Sequence, residues 1–427
     1  RSILDVMNEV DIASLLSELD DKELALAFRL IPKDKAAEVF ANMETSMQTY
    51  LVDMFSEKEL KELLDDLYMD DTVDLLEELP ANLVNRILDT VSPSDRTLIN
   101  QLLNYPEDSA GSIMTTEYVD IRQSMTVAQS MAHIKETGIH KETIYTCYVT
   151  DKRKLIGIVS AKDLMTTDDG ILISELMETE IISVRTYTDK EEVASLFGKY
   201  DFLAVPVVDN EERLVGIVTV DDAIDVIQDE ATEDIEMMAA ITPTDKPYMK
   251  TGVFATWKKR IPWLLLLMIS ATFTGSIITS FEDALSASIV LTGFIPMLMD
   301  TGGNAGSQAS VSIIRGLSLG EIEYKDIGRI LWKEARVAFL CGVSLAAANF
   351  VKLLLIDRVT IPVAIVVCST LVVTVLAAKL VGCSLPVLAK RIGFDPAVMA
   401  SPFITTIVDA LSLLIYFRIA CAVLHIG

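Results

Sequence analysis

Apolar residues follow three different patterns along the chain, and each pattern predicts a different kind of structure. Up to about residue 104, Leu recurs at spacings of three and four, as at Leu60, Leu63 and Leu64, which is the period of an amphipathic helix. Between residues 110 and 230, short β-branched runs such as Ala204–Val208 indicate buried strands. Beyond residue 260 the apolar runs reach the roughly 20 residues that a membrane span requires. The pattern therefore predicts a helical domain, an α/β region and a membrane region.

The α/β region contains an internal repeat. Its first copy ends in Lys154-Leu-Ile-Gly-Ile-Val-Ser-Ala-Lys-Asp, and its second ends in Arg213-Leu-Val-Gly-Ile-Val-Thr-Val-Asp-Asp. Each copy reads as an early strand, a helix, a strand pair and a second helix. The early helices are expected at 127–135 and 191–197. A duplicated unit of this size predicts two modules that pack face to face.

Five membrane helices are expected in the last part of the chain, and the stretch between 229 and 236 reads as a linker helix rich in carboxylates. The five predicted spans are 261–280, 285–315, 330–355, 361–387 and 397–425. Lys and Arg concentrate in the loops on one side, so the positive-inside rule predicts cytoplasmic soluble domains and a carboxyl terminus outside.

Charge is distributed unevenly. Residues 1–256 carry 22 Lys and Arg against 52 Asp and Glu, whereas residues 257–427 carry 14 against 10. An acidic soluble half does not favour nucleic-acid binding, because phosphate affinity needs basic residues. It suits hard cations, which neutralise crowded carboxylates, although solubility alone would also explain it.

The remaining composition excludes several classes of protein. None of the five Cys residues forms a CxxC pair, and the three His residues show no metal-ligand spacing, so neither a disulfide frame nor a zinc site is expected. No nucleophile–base pattern or phosphate loop is present, and we expect no enzyme. The acidic, amphipathic start of the chain also predicts no signal peptide.

Polar residues inside the predicted second span are the strongest functional signal. Asp300, Asn304 and Gln308 recur at a spacing of four, so they share one helix face. Carboxylates and amides at membrane depth are costly and usually face a water-filled path. Gly302, Gly303 and Gly306 could equally serve close helix packing.

Asp409 is a second carboxylate at membrane depth. It lies midway along the last predicted span, with Thr405 and Ser412 on the same face. Pro402 is expected to free a carbonyl oxygen one turn earlier. Such oxygen groups suit a hydrated Mg²⁺ ion. The alternative is a structural ion pair between Asp409 and Lys379 or Arg418.

The two repeated Gly-Ile-Val-[Ser/Thr]-x-x-Asp segments resemble those of a tandem CBS-domain pair. The resemblance covers about 120 residues of this chain. It implies regulation by a ligand, with ATP as the candidate, in a cleft between the two domains near Phe202.

The membrane half resembles the MgtE family of magnesium channels and transporters, which is related to the solute carrier 41 proteins. The motifs that carry the match are Pro296 with Thr301-Gly-Gly-Asn304 and Gln308, Gly393-Phe-Asp-Pro396, and Pro402 with Thr406 and Asp409. The resemblance implies that Asp409 and the carbonyl of Thr405 contact Mg²⁺ in the pore. Where this chain has Ser401 the family often has Asn, and some members have Gly in place of Asp300.

The same resemblance implies a cytosolic Mg²⁺ sensor built from acids in several segments. The matching positions are Glu38, Asp70, Asp74, Asp189, Glu191, Asp201, Asp222, Asp225, Glu230, Glu233, Asp234 and Asp395. Facing carboxylates repel one another, so the set would close an interface only when a cation binds.

The expected architecture is an α-helical multi-domain membrane protein with five parts. These are an acidic helical domain (1–108), two α/β CBS domains (109–170 and 171–229), a connecting helix (230–256) and a membrane pore of five helices (257–427). The expected function is Mg²⁺ uptake by a homodimer in the cell membrane, gated by cytosolic Mg²⁺. The alternatives are a CBS-regulated transporter of another divalent cation, such as Mn²⁺ or Co²⁺, and a non-conducting nucleotide receptor.

Overall fold

The computed structural model describes residues 4–244, 248–249, 251–282 and 288–425. The chain divides into two units, Arg1–Ile227 and Gln228–Gly427. A continuous helix, Val220–Met238, contains the boundary between them.

The first part of unit 1 consists of short helices, as the period of apolar residues predicts. The helices are α1 (Glu9–Leu16), α2 (Asp21–Phe28), α3 (Lys33–Ala41), α4 (Thr45–Met54), α5 (Glu57–Asp66), α6 (Met69–Glu78), α7 (Ala81–Thr90) and α8 (Pro93–Leu102). Most pack against the helix two positions along the chain, as α3 does on α5 and α6 on α8. Helices this short are marginal alone, so their shared apolar core holds them in place.

Side-chain caps fix where these helices begin and end. Ser56 and Glu59 form a capping box at the start of α5, and Ser92 accepts a bond from the amide of Asp95 while Pro93 occupies the first turn of α8. At the end of α4, the guanidinium of Arg86 donates to the carbonyl of Val52 at 2.5 Å. Such contacts satisfy backbone groups that a short helix leaves unpaired.

The α/β part of unit 1 consists of two copies of one arrangement. The first copy contains β1 (Val119–Ile121), α9 (Val127–Thr137), β2 (Thr146–Asp151), β3 (Lys154–Ser160), α10 (Ala161–Thr166) and α11 (Ile173–Leu176); the second contains β4 (Val184–Arg185), α12 (Lys190–Tyr200), β5 (Ala204–Val208), β6 (Leu214–Thr219) and α13 (Val220–Met238). In both copies the first strand is parallel to the second and the second is antiparallel to the third. The predicted repeat is therefore present in the fold.

The two copies exchange backbone pairings. Thr115, which precedes β1, pairs with Ile217 of the second copy, and Glu178, which precedes β4, pairs with Ile158 of the first. Between the sheets, Tyr148, Leu214 and Ile217 form a buried apolar cluster. This exchange ties the modules together face to face.

Among its described residues, unit 2 contains the end of α13 and five further long helices. These are α14 (Val253–Ser280), α15 (Ile295–Ser318), α16 (Ile327–Leu355), α17 (Ile361–Arg391) and α18 (Ser401–Leu424). Helix α15 packs against both α17 and α18. Its first turn rests on a core in which the hydroxyl of buried Tyr416 donates to the carbonyl of Leu291 at 2.9 Å.

The predicted count of five membrane spans is wrong in one respect. Among the described residues, four helices are long and apolar enough to cross a membrane: Val253–Ser280, Tyr324–Leu355, Ile361–Arg391 and Pro396–Leu424. The predicted span 285–315 is different, because a 3₁₀ turn at Ile289–Phe294 precedes α15, and 283–287 lie outside the described residues. The polar residues of α15 lower its hydropathy, so it resembles a buried or pore-lining helix more than a lipid-facing one.

Helix α15 lies in direct backbone contact with α17. A Cβ atom on Gly382 would overlap the carbonyl oxygen of Gly306, and one on Gly306 would lie 3.1 Å from the carbonyl oxygen of Ala378. A Cβ on Gly302 would lie 2.9 Å from the hydroxyl oxygen of Ser412 on α18. Small residues thus bring three helices together, as is common in membrane bundles. We call Gly302, Gly306 and Gly382 the glycine seam.

Replacing Gly382 with Ala should loosen the bundle, because the added methyl group meets backbone that cannot rotate away. Overpacking of this kind costs about 1–3 kcal/mol. We expect Gly382→Ala to lower the thermal unfolding midpoint of the purified protein in detergent. The matched control is Gly275→Ala on α14, where a Cβ has nothing within 4 Å and the midpoint should stay unchanged. Equal midpoints for both variants would show that the seam is not a tight contact.

Candidate functional site

Asp409 lies midway along α18 and is half-buried within the bundle. Among the described residues, the charge that acts on the Asp409 carboxylate is that of Asp300, which is also an acid. Lys379 instead pairs with Glu334, with 3.7 Å between the ammonium nitrogen and the carboxylate oxygen, and Arg418 is exposed. The alternative of a structural pair between Asp409 and Lys379 is therefore wrong.

The predicted polar face of α15 is present. Asp300, Asn304 and Gln308 are all exposed in the single chain, whereas Gly302, Gly303 and Gly306 between them are buried against α17 and α18. The helix therefore has a small-residue side that packs and a polar side that remains open. The close packing that the glycines predict is therefore present, and the polar residues form a separate, open face of the same helix.

The oxygen groups around Asp409 differ in detail from the expectation. Pro402 lies in the first turn of α18, where proline breaks no helical hydrogen bond. The prediction that Pro402 frees a carbonyl oxygen one turn earlier is therefore wrong. The carbonyl of Pro402 accepts the hydroxyls of Thr405 and Thr406, each at 3.0 Å. Ser412 is buried, and its hydroxyl donates to the carbonyl of Val408 at 2.6 Å. The side chain of Ser401 lies outside the described residues.

A second concentration of acids lies in unit 1, where the helical domain meets the CBS pair. Asp70, Asp71 and Asp74 extend from α6, Asp222 from the start of α13, and Glu142 from the loop after α9. Each of these acids lies within electrostatic reach of others in the group. We call these five residues the acidic cluster.

Burial and mutual repulsion raise the pKa of every member of the acidic cluster. Desolvation, followed by repulsion from Asp222, raises the pKa of Asp71 to about 6, and desolvation raises that of Asp222 to about 6 although the Thr219 hydroxyl donates to it. The pKa of Glu142 rises to about 8, again from desolvation first and then from Asp221 and Asp222. The ionised forms of these carboxylates are therefore disfavoured in the folded protein, and keeping them charged costs free energy.

Asp70 and Asp74 follow the same pattern. Desolvation raises the pKa of Asp70 well above its ordinary value, and Asp71 adds to the effect. The protein around Asp74 desolvates it and, with repulsion from Asp71 and Glu77, raises its pKa to about 7, although the side chain still reaches solvent. Glu38 contributes from a distance, as one of the charges that act on Asp71.

The charges that act most strongly on the acidic cluster are all carboxylates. One oxygen of Glu142 is buried without a hydrogen-bond partner. Among the described residues, however, no three Asp, Glu, His or Cys side chains converge as a ready metal cage. The arrangement suits a cation that keeps its waters and contacts the acids through them, as Mg²⁺ commonly does.

Unit 2 brings together two of the other predicted sensor residues. Asp234 near the end of α13 accepts a hydrogen bond from Ser318 at 3.1 Å. Desolvation raises its pKa, and Asp395 in the loop before α18 adds like-charge repulsion. Glu230 and Glu233 lie on the same helix and are half-buried.

Three predicted sensor residues lie at the two ends of α12 and are exposed. Asp189 caps the helix by accepting the amide of Glu191 at 2.9 Å, and Asp201 ends it in a left-handed conformation. Asp225 is exposed on α13 and acts on Asp222. The candidate nucleotide residue Phe202 stacks on Tyr200 with ring centroids 5.3 Å apart.

The structure adds acids that sequence reasoning missed. Asp71 and Glu142 belong to the acidic cluster, and Glu117 and Asp221 act on it. The adjacent pairs Asp70-Asp71 and Asp221-Asp222 are visible in the sequence, but the exposed pair Asp65-Asp66 looks the same, so adjacency alone does not single them out. Glu142 carries no signal in the sequence, because only the folded chain brings it near α6.

Comparison with known families matches most of the chain. Residues 7–108 match the MgtE intracellular N domain, residues 110–169 and 173–229 match CBS domains, and residues 295–419 match a family described as a divalent cation transporter. These matches follow the order of the parts in the fold.

Curated relatives match the chain over its whole length. The magnesium transporter MgtE of Thermus thermophilus is 38% identical, with 98% of this chain and 94% of the relative covered. The magnesium transporter MgtE of Bacillus subtilis is 35% identical, with 100% of this chain and 94% of the relative covered.

A solved structure resembles the soluble part. The crystal structure of the cytosolic domain of the Mg²⁺ channel MgtE in complex with ATP is 39% identical and superposes with a TM-score of 0.50, covering 53% of this chain and 92% of that chain. Together with the four apolar helices, these matches describe a multi-pass membrane transporter and not an enzyme. The chain belongs to the MgtE family of magnesium transporters.

Proposed function

We propose that this transporter is a homodimeric Mg²⁺ channel in which Asp409 holds the permeating ion. The observation that carries the proposal is the pair of intramembrane carboxylates, Asp409 and Asp300, whose like charges act on each other. Two acids at membrane depth without a described cationic partner require a cation or water to offset their cost. A hydrated Mg²⁺ ion supplies both.

The dimer is proposed from the open polar side of α15. In a single chain, Asp300, Asn304 and Gln308 face outward, which lipid would not tolerate. A second copy of the same face, related by a two-fold axis, would enclose a polar path between the two chains. The loops rich in Lys and Arg would then face the cytoplasm, with the carboxyl terminus outside.

The gate is proposed to respond to cytosolic Mg²⁺ through the acidic cluster. The five acids lie across the contact between α6 and the CBS pair. Desolvation and like-charge repulsion raise their pKa values, which supports a contact that their charges oppose. Mg²⁺ bound among them would remove the repulsion and stabilise the closed arrangement. Ligand binding shifts such an equilibrium only by its differential affinity for the two states.

Nucleotide binding is a second proposed property. The solved relative is described in complex with ATP, and Tyr200 and Phe202 offer a stacked aromatic surface here. We propose that ATP binds the CBS pair beside Phe202.

Oxygen ligands alone separate Mg²⁺ poorly from Mn²⁺ or Co²⁺, so the selectivity of the pore rests on the size and waters of the hydrated ion.

Asp409→Asn should reduce Mg²⁺ uptake into liposomes at least tenfold, because the amide keeps the shape of the side chain but removes the charge that holds the ion. Asp357→Asn is the matched control. Asp357 is also a carboxylate of the membrane half, but it pairs with Lys352 at 2.9 Å at the end of α16. Uptake should be normal in the control. Normal uptake by Asp409→Asn, with the protein folded, would exclude Asp409 as the ion-holding residue.

Asp71→Asn and Asp222→Asn should each raise the internal Mg²⁺ concentration needed to stop uptake, because each removes one of the charges that recruit the closing cation. The measurement is uptake into liposomes preloaded with increasing Mg²⁺. Asp65→Asn on α5, where the acid is exposed and pairs with Lys61 at 3.2 Å, should leave the closing concentration unchanged. A shift of equal size in Asp65→Asn would mean that general charge, not the acidic cluster, sets the response.

The acidic cluster should also make unit 1 sensitive to pH when Mg²⁺ is removed. Folding raises the pKa values of Asp71, Asp222 and Glu142 to about 6, 6 and 8, so the folded state binds protons more tightly than the unfolded state. The contribution to stability is greatest below the unfolded pKa, near 4, and is lost as pH rises through the folded values.

We therefore expect the amides of α6 to exchange with solvent more readily at pH 8 than at pH 5.5, after correction for intrinsic exchange rates. Added Mg²⁺ should restore protection mainly at pH 8, where the acids are charged. Protection that is independent of pH in metal-free protein would contradict the proposed repulsion.

A further inference from the structure

A cavity of about 200 Å³ opens on the CBS pair, and its lining shares no residue with either site described above. It is lined by Thr116, Tyr118, Asp120, Lys141, Thr150, Arg153 and Leu214. These residues come from β1 and the segment before it, the loop after α9, the end of β2 and the turn that follows it, and the start of β6. Drug-sized ligands usually occupy about 300–1,000 Å³, so this cavity suits a smaller molecule.

Two cations line the cavity, in a half of the chain where acids outnumber basic residues by 52 to 22. Neither Lys141 nor Arg153 forms an ion pair with a described carboxylate, whereas Lys190 and Arg213 in the same CBS pair both do. Arg153 nevertheless acts on the hydroxyl of Tyr118, together with Asp120. Two cations without an ion pair to a described carboxylate, on one small cavity, create a positive potential that favours an anion.

The backbone holds Arg153 in an unusual conformation. Lys152 and Arg153 have φ angles of 50° and 70°, in a two-residue turn that normally favours Asn and Gly. The carbonyl of Arg153 accepts the amide of Leu214 at 2.8 Å, and Lys154 pairs with Arg213. The turn is therefore fixed against the second CBS domain, and a long cationic side chain occupies a position that local preference would give to glycine.

Hydroxyl groups complete the lining. Thr116 and Thr150 are half-buried, and the hydroxyl of Tyr118 reaches the carbonyl of Leu214 at 3.3 Å. Asp120 is exposed at the edge and would repel an anion placed against it. A ligand that fits must therefore present its negative charge to Lys141 and Arg153 and a hydrogen-bond donor to Asp120.

We propose that this cavity binds a phosphate dianion, with the phosphate oxygens held by Lys141 and Arg153. The phosphate could be free in solution or part of a small ester that carries hydroxyl groups. Asp120 favours the ester, because its carboxylate can accept a hydrogen bond from a hydroxyl but not from a fully charged phosphate. The site is separate from Phe202 and from the acidic cluster, although Glu142 of that cluster directly follows Lys141.

The test is isothermal titration calorimetry on the purified full chain, with ribose 5-phosphate in one arm and inorganic phosphate in the other, and without Mg²⁺. We expect saturable binding of ribose 5-phosphate that weakens at least tenfold in Lys141→Gln and in Arg153→Gln. Lys152→Gln is the matched control, since Lys152 is the neighbouring cation of the same turn but does not line the cavity. Its affinity should equal that of the unaltered protein.

A further variant distinguishes the two sources of phosphate. If the ester is recognised, Asp120→Asn should weaken the binding of ribose 5-phosphate. The same variant should bind inorganic phosphate as tightly as the unaltered protein, or more tightly. An equal rise in the affinity of Asp120→Asn for both ligands would support a site for free phosphate. Thermal unfolding of each variant verifies that the fold is retained. The proposal is overturned if neither ligand binds at millimolar concentration, or if the variants at Lys141 and Arg153 bind as well as the Lys152 control.

Discussion

The repulsion among carboxylates at the contact between α6 and the CBS pair is the constraint on which the soluble half depends. Helix α6 supplies both the apolar contact that stabilises this interface and the charges that oppose it. Val73 of α6 is buried in a core with Val184 and Val205 of the second CBS domain, while Asp70, Asp71 and Asp74 meet Asp222 and Glu142. Burial of one such apolar side chain contributes about 1.5–3 kcal/mol. A few charged acids are enough to offset it, so the contact responds to whatever neutralises them.

The membrane half solves a related problem in a different way. Bulk solvent cannot screen the charges of Asp300 and Asp409 as it screens those of surface acids, and no described cation compensates them. The glycine seam brings α15 against α17 and α18 on one side, so that the other side of α15 is free to carry polar groups. Close packing and an open polar face thus depend on each other along a single helix.

Local patterns in the sequence predicted most of the fold. The helix expected at 127–135 is present at Val127–Thr137, and the duplicated segments around Gly157 and Gly216 form equivalent strands. These features depend on neighbours a few residues away, so periodicity reveals them. The second membrane span was predicted less well, because a 3₁₀ turn and the polar residues of α15 interrupt its apolar pattern.

The candidate site was harder to predict than the fold. Asp409 stands out in sequence because a carboxylate in an apolar run is conspicuous, and its position in the bundle agrees with that signal. Glu142 does not stand out, since it becomes unusual only when α6 and Asp222 lie beside it. The partner of Lys379 was also missed, because Glu334 lies on a different helix. Contacts between distant segments decide these cases.

The backbone contact between Gly306 and Gly382 also limits how the pore region can change shape. Where two helices meet through side chains, rotamer changes can absorb a small displacement, but here a carbonyl lies directly against the facing backbone. Helices α15 and α17 therefore cannot approach each other more closely at this point. Any change in the spacing of these two helices then requires displacement of backbone, and not only the repacking of side chains within the seam.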